Sequence, residues 1–364
     1  MQNRWPGRLL AILTLLVLIA GALWHFLHAE TRRSAEAQPQ IGESDFKYHY
    51  APPVISRPSK EVETEPEREA AGRSKIPREK VEAWLARHNR DATSLLAAFR
   101  ALQDTNYLNE AATNFPNDPH VELAVLTHDE FPGDRRKWLD LFKASSPSNS
   151  LANYLSARDY FKHGQSDAAL RELLAANSKS QFDDYAIESR LNSEEVNQFA
   201  GQSPLDSARA GLADAIGDEL PQLATLKELS SGMQDWQKQL LNAGDTSSVQ
   251  NLAQTGVMLA DELRNSDSGK TIINQLVANA IEARVLAQLD PNTRYDFLGG
   301  QTPAEVQQLF KEQKASFKEL TQNFGAIYPN LAPEEMAGYI ERMKIYSELD
   351  AMRWVIRQHP PINP

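Results

Sequence analysis

The sequence predicts an all-α protein with an N-terminal transmembrane helix, a disordered tether, a region of α-α hairpins and a C-terminal helical bundle. From about residue 77 onwards, apolar residues recur every three or four positions, and Pro, Gly and capping residues delimit these segments. No long run of alternating β-branched residues, typical of strands, interrupts this pattern. The chain has 364 residues, of which 41% are hydrophobic, so a sizeable core is feasible.

The composition excludes several classes of protein and of site. The chain has 38 basic and 49 acidic residues, and its net charge of −11 argues against nucleic-acid binding, which needs clustered Lys and Arg. It has no cysteine, so disulfides, thiolate zinc sites, iron–sulfur clusters, a cysteine nucleophile and a lipid-modified N-terminal cysteine are excluded. The partners that the sequence predicts are a membrane and another, unidentified protein.

Residues 1–29 are predicted to be a single-pass anchor in the inner membrane. Two arginines precede an apolar run from Leu9 to Leu27, ~28 Å of helix, which is close to the ~30 Å hydrocarbon core of a bilayer. A short flank before the first apolar segment usually stays cytoplasmic, so the bulk of the chain is expected in the bacterial periplasm. The alternative is a secreted protein whose signal peptide is cleaved, for which Ala35 and Ala37 offer a small-x-small site.

Residues 30–76 are predicted to form a disordered linker rich in Pro and Glu. Five prolines lie among many charged residues, and glutamate occupies every second position from Glu61 to Glu69. Such a segment can bury only a small apolar area, and this burial does not offset the conformational entropy that the segment would lose on ordering. A coil of about 45 residues spans roughly 35–40 Å, so the folded part is expected to stay near the membrane.

Residues 77–200 are predicted to form a helical repeat region. After a shift of 31 residues, 107–145 partly matches 138–176. One shared position of the repeat is occupied by Ala111, Phe142 and Leu173. Each unit is predicted to be two short helices. The turns within units lie at 131–134 and 163–166, and a turn between units lies at 115–119. Because a single hairpin cannot bury its apolar face, such units stack, and the concave side of the stack usually binds a partner.

Part of this region resembles the tetratricopeptide-type helical repeats. The stretch 151–157, the turn 163–165 and the Ala-rich stretch 168–170 look like that family's first helix, glycine turn and second helix. Residues 107–119 resemble the end of one unit and its link to the next. The resemblance covers about residues 92–176 and implies protein or peptide binding rather than chemistry. A degenerate repeat and an unrelated stack of α-α hairpins are both compatible with these residues.

Residues 201–364 are predicted to form a helical bundle. The segments 203–206 and 302–305 each combine a capping hydroxyl, a proline at the first helical position and an acid at the third. The segment 332–335 follows the same pattern without the hydroxyl. The long helices expected here run from Leu220 to Leu241, from Val249 to Leu263 and from Ser266 to Leu289.

The sequence predicts no catalytic, cofactor-binding or metal-binding residue, although several residues are candidates. His120 and His128 would share a face as a metal pair if one helix joined them, but exposed or partly packed histidines are the favoured interpretation. The acidic candidates for acid–base work are Asp183, Asp184, Asp214, Asp218 and Glu219. A solvated surface is the favoured interpretation for these acids as well, since an acidic protein contains such clusters by chance.

Other motifs that carry chemistry are missing from the sequence. There is no GxSxG turn for a serine nucleophile, and the sequence that begins at Asp290 lacks the twelfth-position Glu of an EF-hand. Four tryptophans lie in amphipathic segments and are predicted to pack between helices: Trp84, Trp138, Trp236 and Trp354.

These features predict a membrane-anchored, extracytoplasmic scaffold or adaptor that binds another protein and is not an enzyme. Two alternatives remain open. A helical enzyme acting on cell-envelope polymers would have a deep cleft that contains two acids with shifted pKa values. A periplasmic folding helper that holds a client would have an exposed apolar concave surface on residues 92–200.

Overall fold

A computed structural model of the chain describes residues 76–266 and 268–360, and every regular element in these residues is a helix. The same residues contain no strand, only one isolated bridge between Asn149 and Gln181. The all-α prediction is therefore confirmed. The predicted anchor at 1–29 lies outside the described residues, as does the predicted linker apart from Ile76. Within the described ranges, no helix combines the length and the apolar character that crossing a bilayer requires.

Fourteen α-helices follow one another in the described residues. The first seven are α1 Arg78–Arg87, α2 Ala92–Leu102, α3 Thr105–Asn114, α4 Pro119–Thr127, α5 Arg135–Ser145, α6 Ser150–Lys162 and α7 Ser166–Ala176. The next seven are α8 Ala186–Phe199, α9 Pro204–Asn242, α10 Thr246–Asn265, α11 Ile272–Leu286, α12 Pro303–Ile327, α13 Pro333–Ile345 and α14 Glu348–Gln358. Short 3-10 turns lie at Pro132–Asp134, Ser268–Lys270, Asp296–Leu298 and Tyr328–Asn330.

The helices between residues 105 and 176 follow the 31-residue period of the sequence. The helices α3, α5 and α7 begin at Thr105, Arg135 and Ser166, and α4 and α6 begin at Pro119 and Ser150. The shared position of the repeat is buried in all three units, where it is occupied by Ala111, Phe142 and Leu173. The period therefore reflects a repeated packing position. In each hairpin, the second helix places its residue at this position in the core.

Side-chain and backbone caps start the C-terminal helices where the sequence predicts them. The Ser203 hydroxyl accepts a backbone N–H at the start of α9. Thr302 and Glu305 exchange two hydrogen bonds at the start of α12, which forms a complete capping box. Ala332 has no hydroxyl, but its own N–H donates to the Glu335 carboxylate at 2.9 Å. All three predicted helix starts are therefore confirmed.

The helix α9 is longer than the sequence analysis expects. It has 39 residues, from Pro204 to Asn242, and it continues through Pro221, which lacks an N–H for the helical ladder. The predicted helix from Leu220 to Leu241 is the second half of this element. The expected boundary is wrong because surrounding helices pack along the whole of α9, and this packing outweighs the unfavourable helix propensity of one internal proline.

The two following helices differ less from the prediction. The helix α10 extends the predicted segment 249–263 by a few residues at each end. The helix α11 begins at Ile272 rather than at Ser266, since a 3-10 turn precedes it and the Thr271 side chain accepts the N–H of Asn274.

Helices α8 and α9 cover one side of the hairpins. The helix α8 packs against α2, and α9 packs against α4 and α6. The helices α8 and α9 also approach each other closely at Gly211, where a Cβ would lie 2.8 Å from the Arg190 carbonyl oxygen. Helices before and after residue 200 are therefore in direct contact, and the described residues belong to one compact unit. The division into domains at residue 200 stays a prediction.

The C-terminal helices share a core with the beginnings of α9 and α11. Their buried side chains include Ala208, Ile272, Phe317, Phe324, Met336, Tyr339, Ile340 and Met352. Trp354 packs at the edge of this core against Gly338, where a Cβ would come within 2.8 Å of the indole ring. The Arg342 guanidinium lies 4.9 Å from the centre of the same ring.

Candidate functional site

A small cavity lies between α2, α4, α8 and α9, on the side of the hairpins that α8 and α9 cover. About 30 Å³ of this cavity is open to the centre of a water-sized molecule, which is room for one or two waters. We call it the acidic cavity, and its charged and histidine side chains are Arg100, His120, His128, Asp184, Asp218 and Glu219. It therefore contains residues that lie far apart in the sequence.

Two histidines from opposite ends of α4 face the acidic cavity. His120 lies in the first turn of α4 and packs on the Tyr185 ring, with 4.2 Å between ring centres. His128 follows the last residue of the helix, and its Nε2 lies 3.3 Å from an Asp218 carboxylate oxygen. The described residues contain no group of three His, Asp or Glu side chains that could hold a metal ion. The two histidines thus share a cavity without forming the core of a metal site.

Asp218 connects three helices through its carboxylate. The Nε of Arg100, a residue that is only 6% exposed, donates to Asp218 Oδ2, and His128 contacts Oδ1. Burial by itself raises the pKa of Asp218, but the Arg100 charge, assisted by His128, lowers the pKa to about 2. Asp218 is therefore ionised at neutral pH and ties α9 to α2 and α4.

The pKa of the next residue of α9 is shifted in the opposite direction. Glu219 is 7% exposed, and its Oε2 has no hydrogen-bond partner among the described residues. Burial and the neighbouring carboxyl groups of Asp184, Glu348 and Asp218 raise the pKa of Glu219 well above its usual value. The two adjacent carboxyl groups of the acidic cavity therefore have pKa values that are shifted in opposite directions.

A third carboxyl group of the cavity belongs to the loop before α8. Burial raises the pKa of Asp184, although the Ser268 hydroxyl and the Ala186 N–H both donate to its carboxylate. Asp184 therefore accepts the N–H of the first residue of α8 and also contacts the turn before α11. Glu348 extends the acidic group on the far side, where its carboxylate accepts the Ile272 N–H at 2.7 Å.

The acidic candidates from the sequence separate into two groups. Asp184, Asp218 and Glu219 line the cavity, whereas Asp183 accepts the Tyr185 N–H and Asp214 is buried in α9 outside the cavity lining. The favoured interpretation of a solvated acidic surface is thus wrong for Asp214 and Glu219, which are buried, whereas Asp218 is half-buried. The physical reason is that α8 and the C-terminal helices pack against this part of α9 and remove it from water.

Two charged residues of the site are missing from the sequence candidates. Arg100 is the single charged residue of α2, and a buried lone arginine needs an acidic partner. The lone arginine is visible in the sequence. The identity of its partner, Asp218, 118 residues away, is not. Glu348 has no comparable pattern, because an acid in the first turn of a helix is ordinary.

A second, wider concavity lies between the α6–α7 turn and α9, and we call it the α7 groove. Its volume is about 560 Å³, and its lining includes Tyr160, Gly164, Gln165, Asp167, Arg171 and Trp236. The Trp236 indole N–H has no hydrogen-bond partner within the described part of the chain. Of the four tryptophans, Trp84 and Trp138 are buried in the core and Trp354 packs at its edge, so Trp236 is the one that borders a groove.

No protein-family model matches this chain. The comparisons with curated proteins and with solved structures likewise find no match.

Proposed function

We propose that this protein is a membrane-anchored, extracytoplasmic scaffold or adaptor that binds another protein. The observation that supports this most directly is the α7 groove, which is large enough for a peptide segment and is lined by the exposed Arg171 and by two aromatic residues, Tyr160 and Trp236. Residues 92–176 serve in this proposal as degenerate tetratricopeptide-like hairpins, 1–29 as the inner-membrane anchor, 30–76 as the tether and 201–364 as a helical bundle.

The chemistry of the α7 groove indicates what its partner offers. The exposed Arg171 guanidinium is a donor, and the Tyr160 and Trp236 rings add apolar surface. The ring is held by the Arg136 guanidinium, 4.5 Å from its centre. Leu174, 68% exposed and one turn beyond Arg171 on α7, extends the apolar area. A peptide with an apolar anchor and an adjacent carboxylate complements these groups.

The experiment is affinity capture with the full chain, purified in mild detergent and incubated with native envelope extract, followed by mass spectrometry. We expect the unaltered chain to capture one dominant protein, and we expect the Arg171→Glu and Trp236→Leu variants each to fail to capture it. The matched control is Arg353→Glu, which makes the same charge change on α14 and outside the groove. Equal capture by all variants, or no specific protein at all, would contradict the proposal.

The location is part of the same proposal and needs its own test. If residues 1–29 anchor the chain with its bulk in the periplasm, the full chain stays with the inner membrane after alkaline extraction. Protease then degrades the helical part in spheroplasts but not in intact cells. A chain released into the soluble periplasmic fraction would support the alternative, a cleaved signal peptide.

A second candidate function is an enzyme that acts on cell-envelope polymers. The observation that favours it is the pair of adjacent carboxyl groups whose pKa values are shifted apart, lowered for Asp218 and raised for Glu219, which is the arrangement of a general base and a general acid. A cavity with space for one or two waters does not accommodate a sugar ring, so this candidate requires the site to open. Release of soluble fragments from purified envelope material, abolished by Asp218→Asn, is its test.

A third candidate function, that of a folding helper, has less support. It requires a broad apolar surface on the concave side of residues 92–200, and α8 and α9 pack against the helices α2, α4 and α6 there. The large apolar side chains that remain exposed in this range are Phe131, Leu174 and Leu191.

A further inference from the structure

The outer face of α7, the last helix of the hairpin stack, is open to solvent. The helix packs against α6, and the opposite face presents Asp167, Arg171 and Leu174, which are all exposed. In a longer stack the next hairpin would cover such a face. Here the following helix, α8, packs against α2 and α9 instead, so the outer face of α7 remains exposed.

Leu174 makes this face unlike the usual end of a helical stack. Terminal units normally have a polar outer face, which keeps the array soluble. Leu174 is 68% exposed, more than any other large apolar residue in the described ranges. A single exposed leucine is ordinary on a protein surface, but this one lies beside two charged residues on the same helix face.

The two charged residues of this face make it complementary to itself. Asp167 and Arg171 lie one helical turn apart, and neither forms an ion pair within the described part of the chain. Two copies of α7 can pair antiparallel about a two-fold axis that passes near Ala169. Asp167 of each copy then faces Arg171 of the other, so the pairing forms two equivalent ion pairs.

The same pairing places Leu174 at the α7 groove of the second copy. Leu174 follows Ala169 by five positions and Gly164 precedes it by five, so Leu174 of one copy faces Gly164 of the other. Gly164 lines the groove, and a Cβ added there would meet nothing within 4 Å. The groove is also bordered by the Tyr160 and Trp236 rings, against which a leucine side chain can pack.

We propose that the outer face of α7 binds a second copy of this chain in an antiparallel, two-fold pair. Asp167 and Arg171 form the reciprocal ion pairs, and Leu174 of each copy enters the α7 groove of the other. The proposal rests on the proposed function, in which the α7 groove binds protein. It adds that a second copy fills the groove until the partner protein displaces it.

This pairing is expected to be weak and reversible. A helix of 11 residues offers less contact area than a permanent dimer interface needs. The proposed anchor compensates for this, because it confines both copies to one membrane surface and raises their effective concentration. A weak interface also allows a partner protein to compete for the groove.

The test is sedimentation equilibrium of the purified full chain in mild detergent, at chain concentrations from about 1 to 100 µM. We expect the unaltered chain to associate reversibly to a dimer. Asp167→Arg and Arg171→Glu each place like charges opposite each other twice, so each is expected to weaken dimerisation about tenfold or more.

An equimolar mixture of these two variants tests the register of the pairing. In the mixture, one copy carries both basic residues and the other carries both acidic residues. Both ion pairs can therefore form again, but only between the two different variants. We expect the mixture to form a heterodimer about as tightly as the unaltered chain dimerises.

Matched substitutions test the apolar contact and the specificity of the charge effect. Leu174→Ala is expected to weaken the dimer, whereas Leu191→Ala, at a 49% exposed leucine of α8 outside the groove lining, is expected not to. Arg353→Glu on α14 is the control for the charge change. A dimer held together by residues 1–29 would be unaffected by every one of these substitutions.

Three outcomes would overturn the proposal: an unaltered chain that stays monomeric over this range, a dimer that Arg171→Glu does not weaken, and a mixture of the two charge variants that stays monomeric. The experiment uses the purified chain alone, so its result is independent of the capture experiment. A monomeric chain that captures a partner contradicts this proposal alone. A dimeric chain that captures nothing contradicts the proposed function alone.

Discussion

At the scale of single residues, burial has opposite consequences for carboxyl groups that do and do not find a cation. Asp218 and Glu219 are neighbours in α9, yet only Asp218 reaches the Arg100 guanidinium. For both groups, removal of the charged carboxylate from water is unfavourable. The presence of one specific partner therefore decides whether the pKa of the carboxyl group is lowered or raised.

The Asp218 interaction predicts a defined loss of stability in acid. The pKa of Asp218 is about 2 in the folded chain against 3.8 ordinarily, so its contribution is complete above pH 4 and is lost as the pH falls from about 4 to about 2. Asp218→Asn is expected to lower the free energy of unfolding at pH 7 by about 2 kcal/mol or more. Urea titrations at pH 7 and pH 3 measure this, and an equal effect at both would contradict the assignment.

Glu122 predicts the opposite pH dependence. It is fully buried in α4, and burial raises its pKa to about 7 even though the Ser145 hydroxyl donates to it. Its destabilising effect is absent below pH 4.5, grows as the pH rises to about 7 and then stays constant. Glu122→Gln is expected to raise the free energy of unfolding by about 2–3 kcal/mol at pH 8 and to change it little at pH 4.5. A stabilisation of the same size at both values would exclude this explanation.

At the scale of elements, the sequence predicts helix starts better than helix lengths or contacts. The capping residues Ser203 and Thr302 act on their own neighbours, so local sequence is sufficient to locate them. The continuation of α9 through Pro221 depends on helices distant in sequence, and local propensity misses it. The acidic cavity is missed for the same reason, since Arg100 and Asp218 meet only after α2 and α9 have packed.

The contact between α8 and α9 gives a prediction from a pair of glycines. At Gly211 an added Cβ would lie 2.8 Å from the Arg190 carbonyl oxygen, whereas at Gly325 in α12 nothing lies within 4 Å. We expect Gly211→Ala to lower the free energy of unfolding by about 1–3 kcal/mol, because the helices must move apart. Gly325→Ala is expected to raise it by about 0.5–1 kcal/mol, through the lower backbone entropy of the unfolded chain.

Urea titrations of the two glycine variants provide the comparison. Both substitutions replace Gly by Ala inside a helix, so the difference between them isolates the interhelical contact. Equal effects would mean that α8 and α9 are not in close contact at this point.

At the scale of the whole molecule, several buried acids change the stability of the fold with pH in the same direction. The carboxyl groups whose pKa is raised by burial are Glu122, Asp184, Glu219, Glu262, Glu282 and Glu348. Each lowers stability as the pH rises above its ordinary pKa, and the net charge of −11 adds general repulsion. We therefore expect the melting temperature to be highest near pH 4.5–5.5. A maximum at pH 8 would show that these groups are less buried than described.

The packing across residue 200 predicts cooperative unfolding. The helix α9 contacts α4 and α6 as well as α10 and α11, so the helices before and after residue 200 depend on the same element for their packing. Hydrogen exchange of the full chain is expected to give similar opening free energies for 92–176 and for 204–286. Two well-separated values would instead support the predicted division into two domains.

The coverage of the hairpins by α8 and α9 also limits how this protein can change in evolution. In an open solenoid each repeat contacts only its neighbours, so duplication of a unit lengthens the array without harm. Here α9 spans α4 and α6 along one rigid rod, roughly 58 Å long at ~1.5 Å per residue. A duplicated 31-residue unit would displace one of these helices from its place on the rod. The number of hairpins is therefore set by the length of a helix that is not itself a repeat.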